Sequence, residues 1–174
     1  IVFSMLFLRM TAVSQVSITN PTPAGSYVQH FDLGFPGTGD YTLTDNAAAN
    51  LGWYSFRTIG NAAGGNVFAA NVGNSLVGQF YNYGLAGDPN RALGSVANIG
   101  ATGTMYYGLR IQNDTGTNVS SVRIQYAGEQ WLAFFPVAQT LAFSYQVSAT
   151  DITSLTAGTF TPEPALNFTT PVTG

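Results

Sequence analysis

The chain has 174 residues, 45% apolar and 13% aromatic, enough for one domain with a core and too apolar for intrinsic disorder. Only 7% of residues are charged and the net charge is -3, with five arginines and no lysine, which excludes a nucleic-acid binder that must neutralise phosphates. Cysteine is absent and His30 is the single histidine, so disulfides, thiolate metal sites, cysteine nucleophiles and multi-histidine metal sites are excluded as well.

The first residues read as an address. Ile1–Leu8 is a nearly unbroken apolar run, followed by Arg9-Met10-Thr11-Ala12-Val13-Ser14. Small residues at Ala12 and Ser14 fit a signal-peptidase site before Gln15, and the run is too short to span a bilayer. Residues 1–14 are expected to be a truncated signal peptide, with a buried first strand or short helix as the alternative. Residues 15–174 are expected to be a single domain.

Val16-Ser17-Ile18 is a short extended segment ended by Asn20-Pro21-Thr22-Pro23. Trp53–Thr58, Leu76–Tyr83 and Ala92–Val96 read as strands, whereas Ala47-Ala48-Ala49-Asn50 and the run Asn61–Asn74 read as loops. Gly37-Thr38-Gly39, Gly64-Gly65, Asp88-Pro89-Asn90, Asn113-Asp114-Thr115-Gly116 and Ala127-Gly128 read as turns. In the C-terminal half, Met105, Tyr107, Leu109 and Ile111 alternate with polar or small neighbours, and so do Val122, Ile124 and Tyr126. The turn-rich link between them predicts an antiparallel hairpin. Gln130–Phe135 is a further strand candidate, followed by a last one with Leu141, Phe143, Tyr145 and Val147 on one face. No stretch carries a helical apolar stripe. The pattern predicts an all-β fold, an antiparallel β-sandwich or jelly-roll-like arrangement. Its polar faces carry Ser, Thr, Asn and Gln in place of lysine and glutamate, which guards sheet edges poorly.

Four phrases carry a resemblance: Gly52-Trp53-Tyr54, Arg91-Ala92-Leu93-Gly94-Ser95, the stretch Tyr107-Gly108-Leu109-Arg110-Ile111-Gln112-Asn113-Asp114-Thr115-Gly116, and Tyr126-Ala127-Gly128-Glu129-Gln130-Trp131. In order and spacing they resemble a family of secreted bacterial β-sandwich modules found in large surface proteins, including those with PEP-CTERM-type sorting tails. The resemblance covers about residues 27–170. Two positions depart from it. Leu132 stands where the family commonly has arginine, and Asp88 is separated from Arg91 by Pro89-Asn90. The resemblance implies an extracellular location and a scaffold. It also implies further strands after Ala165–Gly174, so the domain is expected to be incomplete at its C-terminus and to expose an edge.

Among the few charges, Arg91 and Glu129 are the expected structural pair, a charge-assisted hydrogen bond fixing a loop on a strand. A glycan-binding polar pair and a catalytic carboxylate are the weaker readings, since glycoside hydrolysis needs two placed carboxylates. Trp53, Tyr83, Tyr106 and Trp131 are the candidate glycan contacts, each weighed against core packing. Alternation places Tyr107 inside and Tyr106 outside. Asp88, Asn90, Asn113, Asp114 and Thr115 are oxygen-rich turn residues that read as Asx turns before they read as a calcium site. No cofactor is expected, calcium being the one ion with any claim. His30 has no Gly-x-Ser-x-Gly elbow to serve and reads as a solvent-facing strand residue.

These readings predict a secreted or cell-surface, non-catalytic structural or adhesion module of a larger bacterial protein. A carbohydrate-binding module attached to a polysaccharide-degrading enzyme is the first rival, and a hydrolase the second. The expected partners are polysaccharide or neighbouring domains of the same polypeptide, with no nucleic acid, and a membrane only through an anchor beyond this sequence.

Overall fold

A computed structural model describes residues 15–20, 26–32, 35–45, 52–98 and 100–174. The expected signal segment 1–14 and the loop at Ala47–Asn50 lie outside the described residues. Strands dominate: β1 (Val16–Ile18), β2 (Asp40–Thr44), β3 (Trp53–Arg57), β4 (Gly65–Asn71), β5 (Gln79–Tyr83), β6 (Ala92–Val96), β7 (Met105–Leu109), β8 (Ile111–Asn113), β9 (Thr140–Leu141), β10 (Ser144–Tyr145), β11 (Thr161–Pro162) and β12 (Phe168–Thr169). The described residues contain no α-helix, and the fold is all-β and sandwich-like.

A four-stranded sheet runs β2-β4-β5-β6, and a β3-β7 ribbon packs across one of its faces. Between the two layers lie the buried rings and aliphatic chains of Phe35, Leu43, Phe68 and Phe80, against which Tyr41, Leu93, Met105 and Tyr107 pack. Phe68 and Phe80 stack at 4.7 Å between ring centroids, and Tyr107 from the ribbon meets Phe80 edge-on at 6.4 Å. Asn66 fastens the layers, donating from its amide to the carbonyl and hydroxyl of Ser55 at 3.2 and 3.1 Å.

The run Asn61–Asn74, expected as loop, contains β4, a central strand of the sheet. Its signal is hidden because Asn66 faces inward with its polarity satisfied, while Val67 on the same strand is exposed. β4 and β5 pair in parallel, Phe68 opposite Phe80 through Asn71 opposite Tyr83, and β1 and β8 are parallel too; the remaining pairings are antiparallel, as expected. The link from β4 back to the start of β5 is only residues 72–78. At about 3.4 Å per residue such a link reaches roughly 25 Å, enough to return along a five-residue strand. Asn71 starts it, its side-chain oxygen accepting from Gly73 N and Asn74 N, and the Tyr81 hydroxyl donates to the Val77 carbonyl at 2.8 Å near its end.

The C-terminal half departs from expectation. Met105–Leu109 pairs with β3 and not with the Val122–Tyr126 segment, so the predicted hairpin is absent, and neither Ser121–Tyr126 nor Gln130–Phe135 is a strand. The alternating run 141–148 is reduced to β9 and β10, paired with β12 and β11. Residues 105–113 take other partners, β7 pairing with β3 and β8 in parallel with β1. β3 offers β7 five register pairs and an aromatic face to match, whereas the 113–118 turn closes on itself through Asn113, Thr115 and Thr117.

The layered core sets the first prediction. Phe68→Ala, at 0% exposure, is expected to cost about 3–5 kcal/mol in urea-unfolding measurements. Val67→Ala next to it, on an exposed side chain, should stay within about 0.5 kcal/mol.

Candidate functional site

The end of β5 and the start of β6 hold the densest polar network. Arg91 is 3% exposed, yet among the described residues its guanidinium forms no ion pair with a carboxylate. Its Nε donates to Asn82 Oδ1 and its Nη1 to the Leu85 carbonyl, both at 2.9 Å, and its Nη2 to the Asn82 carbonyl. Its backbone N–H donates to Asp32 Oδ1 at 3.2 Å. Asn82, itself fully buried, passes the network on through its amide to the Pro36 carbonyl at 2.9 Å. Burial pulls the Arg91 guanidinium below its usual pKa, with the charge of Asp88 opposing that shift. A side chain at Gly84 would run into this guanidinium, so the loop closes tightly over it.

Arg91 and Glu129, expected as a pair, are engaged separately. Glu129 accepts the indole N–H of Trp131 at 2.8 Å. Among the described residues the ion pair is instead Arg110–Asp151, at 2.7 Å. The sequence reading matched the two charges by scarcity. It missed that Asn82 supplies both a side-chain and a main-chain oxygen, which lets a buried guanidinium do without an anion.

The candidate glycan contacts separate into two places. Tyr83 and Trp131 stack on one another, 5.9 Å apart and 4° from parallel, on the sheet face opposite the ribbon. Tyr81 and Val96 complete that cluster, with Leu132 packed against it. Tyr83 is buried, with the Trp131 ring stacked on it and Tyr81 tilted against it at 5.2 Å. At Gly73 a side chain would strike the Trp131 carbonyl, and with φ at +84° the position favours glycine on both counts. Trp53 is half-buried in a loop clamp: its indole N–H donates to the Tyr27 hydroxyl at 3.0 Å, and its ring meets Phe31 edge-on at 4.9 Å. Phe31 holds a left-handed backbone, φ 58°, to wedge between Phe35 and Trp53.

Tyr106 lies on the outer face of the ribbon, opposite Phe56 in register and 6.1 Å from its ring, while Tyr107 turns to the core. Arg110 and Asp151 bound this face at one end, and the Leu155 side chain sits over Gly108. The two half-buried rings are tilted by 40°, so they do not form a flat platform.

The turn oxygens are taken up locally. Asp88 Oδ1 accepts from Asn90 N at 2.9 Å and Asn113 Oδ1 from Thr115 N at 3.1 Å, both Asx turns. Asp114 accepts from the Ser17 hydroxyl and, at 2.7 Å, from the Gln112 amide. His30 is exposed on a stretch outside any strand. A depression of about 220 Å³ beside Gly37, Thr38, Asn71 and Asn74 is lined by neutral polar and small apolar residues. It is smaller than the roughly 300 Å³ at which small-molecule pockets begin. Compared with protein-family models, curated proteins and solved structures, the chain matches none.

Two tyrosines give the fold a pH response. Burial is the main cause that pushes the Tyr107 hydroxyl up to about 12, with the charge of Tyr126 adding to it. Burial also raises Tyr83, helped by Tyr81 and Tyr107. In the unfolded chain these phenols ionise near 10. Stability is therefore full below pH 10 and falls as pH rises toward 12. Urea unfolding at a series of alkaline pH values should show this decline, and Tyr107→Phe should flatten it. At neutral pH, Arg91→Met should lower stability by about 2–4 kcal/mol, because Asn82 and Leu85 keep buried acceptors without a donor.

Proposed function

We propose that this chain is a non-catalytic structural or adhesion module of a larger secreted or cell-surface bacterial protein. One observation carries the reading. Residues 119–147 present Val122 (67% exposed), Ile124, Phe134, Val137 and Val147 (86%) to solvent, with period-two alternation over Val122, Ile124 and Tyr126. Apolar surface of this extent belongs to a module that is covered by something else. The signal-like residues 1–14 and the resemblance to surface-protein modules support an extracellular setting. The aromatic pairing supports a scaffold over a sugar platform, since Tyr83 and Trp131 cover each other and Trp53 is engaged by Tyr27 and Phe31.

The carbohydrate-binding reading keeps one specific observation in its favour, the Phe56–Tyr106 pair on the outer face of the ribbon. A single experiment separates the readings. The purified protein is incubated with insoluble plant, algal and bacterial polysaccharides, and bound protein and released reducing ends are both measured. In parallel, an antibody locates the protein in fractions of the cells that make it. The proposed function expects a cell-surface or medium fraction, no release of reducing ends and no saturable retention. Saturable binding lost in a folded Tyr106→Ala variant would move the assignment to the carbohydrate-binding module. Sugar release lost in Glu129→Gln would move it to the hydrolase.

A further inference from the structure

We infer that residues 121–126 form the contact through which two copies of this chain associate, as an antiparallel strand pair centred on Ile124. The backbone of this segment is available: among the described residues, none of 119–134 makes a backbone–backbone hydrogen bond, and no strand pairs with them. An unpaired row of amides and carbonyls is a template for another strand. The segment is anchored at one end only, where the Tyr126 ring stacks on Phe143 and its hydroxyl donates to the Leu166 carbonyl. Val122 and Ile124 remain exposed beyond that anchor.

The occupant follows from the order of the side chains. In an antiparallel pair centred on Ile124, Val122 lies opposite Tyr126 of the second copy, Ile124 opposite Ile124, and Tyr126 opposite Val122. All three pairs fall on one face, and β-branched and aromatic cross-strand pairs of this kind are stabilising. On the other face Arg123 lies opposite Gln125, and Ser121 opposite Ala127, so no charge faces its own copy. A parallel pairing would set Arg123 directly against Arg123. A shift of the centre by half a residue would place Val122 opposite Gln125 and mix the faces. The sequence is thus self-complementary in this antiparallel register, which matches three apolar pairs where centring on Gln125 would keep only the two Ile124–Tyr126 pairs, and such self-complementarity is the condition for a two-fold interface. Across residues 119–134 the charges are Arg123 and Glu129, which cancel, and the chain has no lysine to guard the edge. This inference shares the exposed Val122 and Ile124 with the proposed function but does not depend on it, since an enzyme or a scaffold could associate in the same way.

The absence of cysteine makes the register directly testable. Directly opposed residues in an antiparallel pair have Cα atoms about 4.5–5.5 Å apart, within the span of a disulfide. The whole chain is prepared as Ile124→Cys, Val122→Cys and Tyr126→Cys, and each is oxidised mildly. Ile124→Cys should form a covalent dimer, and Val122→Cys and Tyr126→Cys should do so only when mixed with each other. Sedimentation equilibrium of the unaltered chain should show a dimer. Ile124→Lys, at an exposed position, should keep its circular dichroism and weaken association at least ~10-fold. A chain that stays monomeric at every concentration would overturn the inference. So would self-linking of Val122→Cys as fast as Ile124→Cys, which marks a parallel or unspecific contact. Protection of the Ile124→Cys thiol in a monomer, the sign of a covering strand from the same chain, would overturn it too.

Discussion

The buried guanidinium of Arg91 holds three separate parts of the chain to one point. Its Nε and Nη2 take both oxygens of Asn82 on β5, its Nη1 takes Leu85 in the loop, and its backbone N–H meets Asp32 far upstream. Through the Asn82 amide the same network reaches Pro36, next to Phe35 of the core. Removing such a charge from water costs several kcal/mol, and only full hydrogen bonding compensates it. Here the compensation comes from amide and carbonyl dipoles, with the charge of Asp88 also acting on the guanidinium. The β5–β6 hairpin therefore depends on geometry, because every acceptor must be in place at once.

The same economy runs through the rest of the molecule. With charged residues at 7%, asparagine does the work that ion pairs do elsewhere. Asn66 joins the two layers, Asn71 turns the chain into its short crossover, and Asn98 Oδ1 accepts from Gly100 N and Ala101 N in the turn before the fully buried Thr102. Each is a short side chain that both donates and accepts, so it can satisfy neighbouring backbone groups without the desolvation cost of a charge. Contacts made by neutral amides carry no net charge for salt to screen and no proton to lose near neutral pH. The weak side of this arrangement is alkaline, where the tyrosines that line both faces of the sheet resist ionisation.

Much of the fold was legible in the sequence where one face is buried and the other is not. Val16–Ile18 and Ala92–Val96 lie where the residues place them, Trp53–Thr58 is longer than β3 by one residue, and Tyr106 and Tyr107 take opposite sides of the ribbon. β4 was not legible. A glycine-flanked strand with asparagines at both ends reads as a loop until Ser55 and the turn residues that bind those amides are known. The Arg91 site was legible only in part: its importance showed in the scarcity of charge, but its partners are an amide and carbonyls that no pattern announces. Trp131 was more legible, a ring that reads as core packing before it reads as a glycan contact and whose partner is Tyr83.

The C-terminal half shows how alternation and pairing can part company. Period-two patterning states that a segment is fit to be a strand with one apolar face, and it says nothing of which strand lies beside it. For Met105–Leu109 the neighbour is β3, reached across more than forty residues, because that pairing also closes the layer over Phe80. With β3 on one edge of β7 and β1 beside β8, the equally well-patterned residues after the 113–118 turn pair with neither. Their apolar side chains and free backbone then make a strand-like surface in a chain without lysine. Composition and topology thus lead to one place: a sheet-forming segment that the fold leaves uncovered is where this molecule is fitted to meet another.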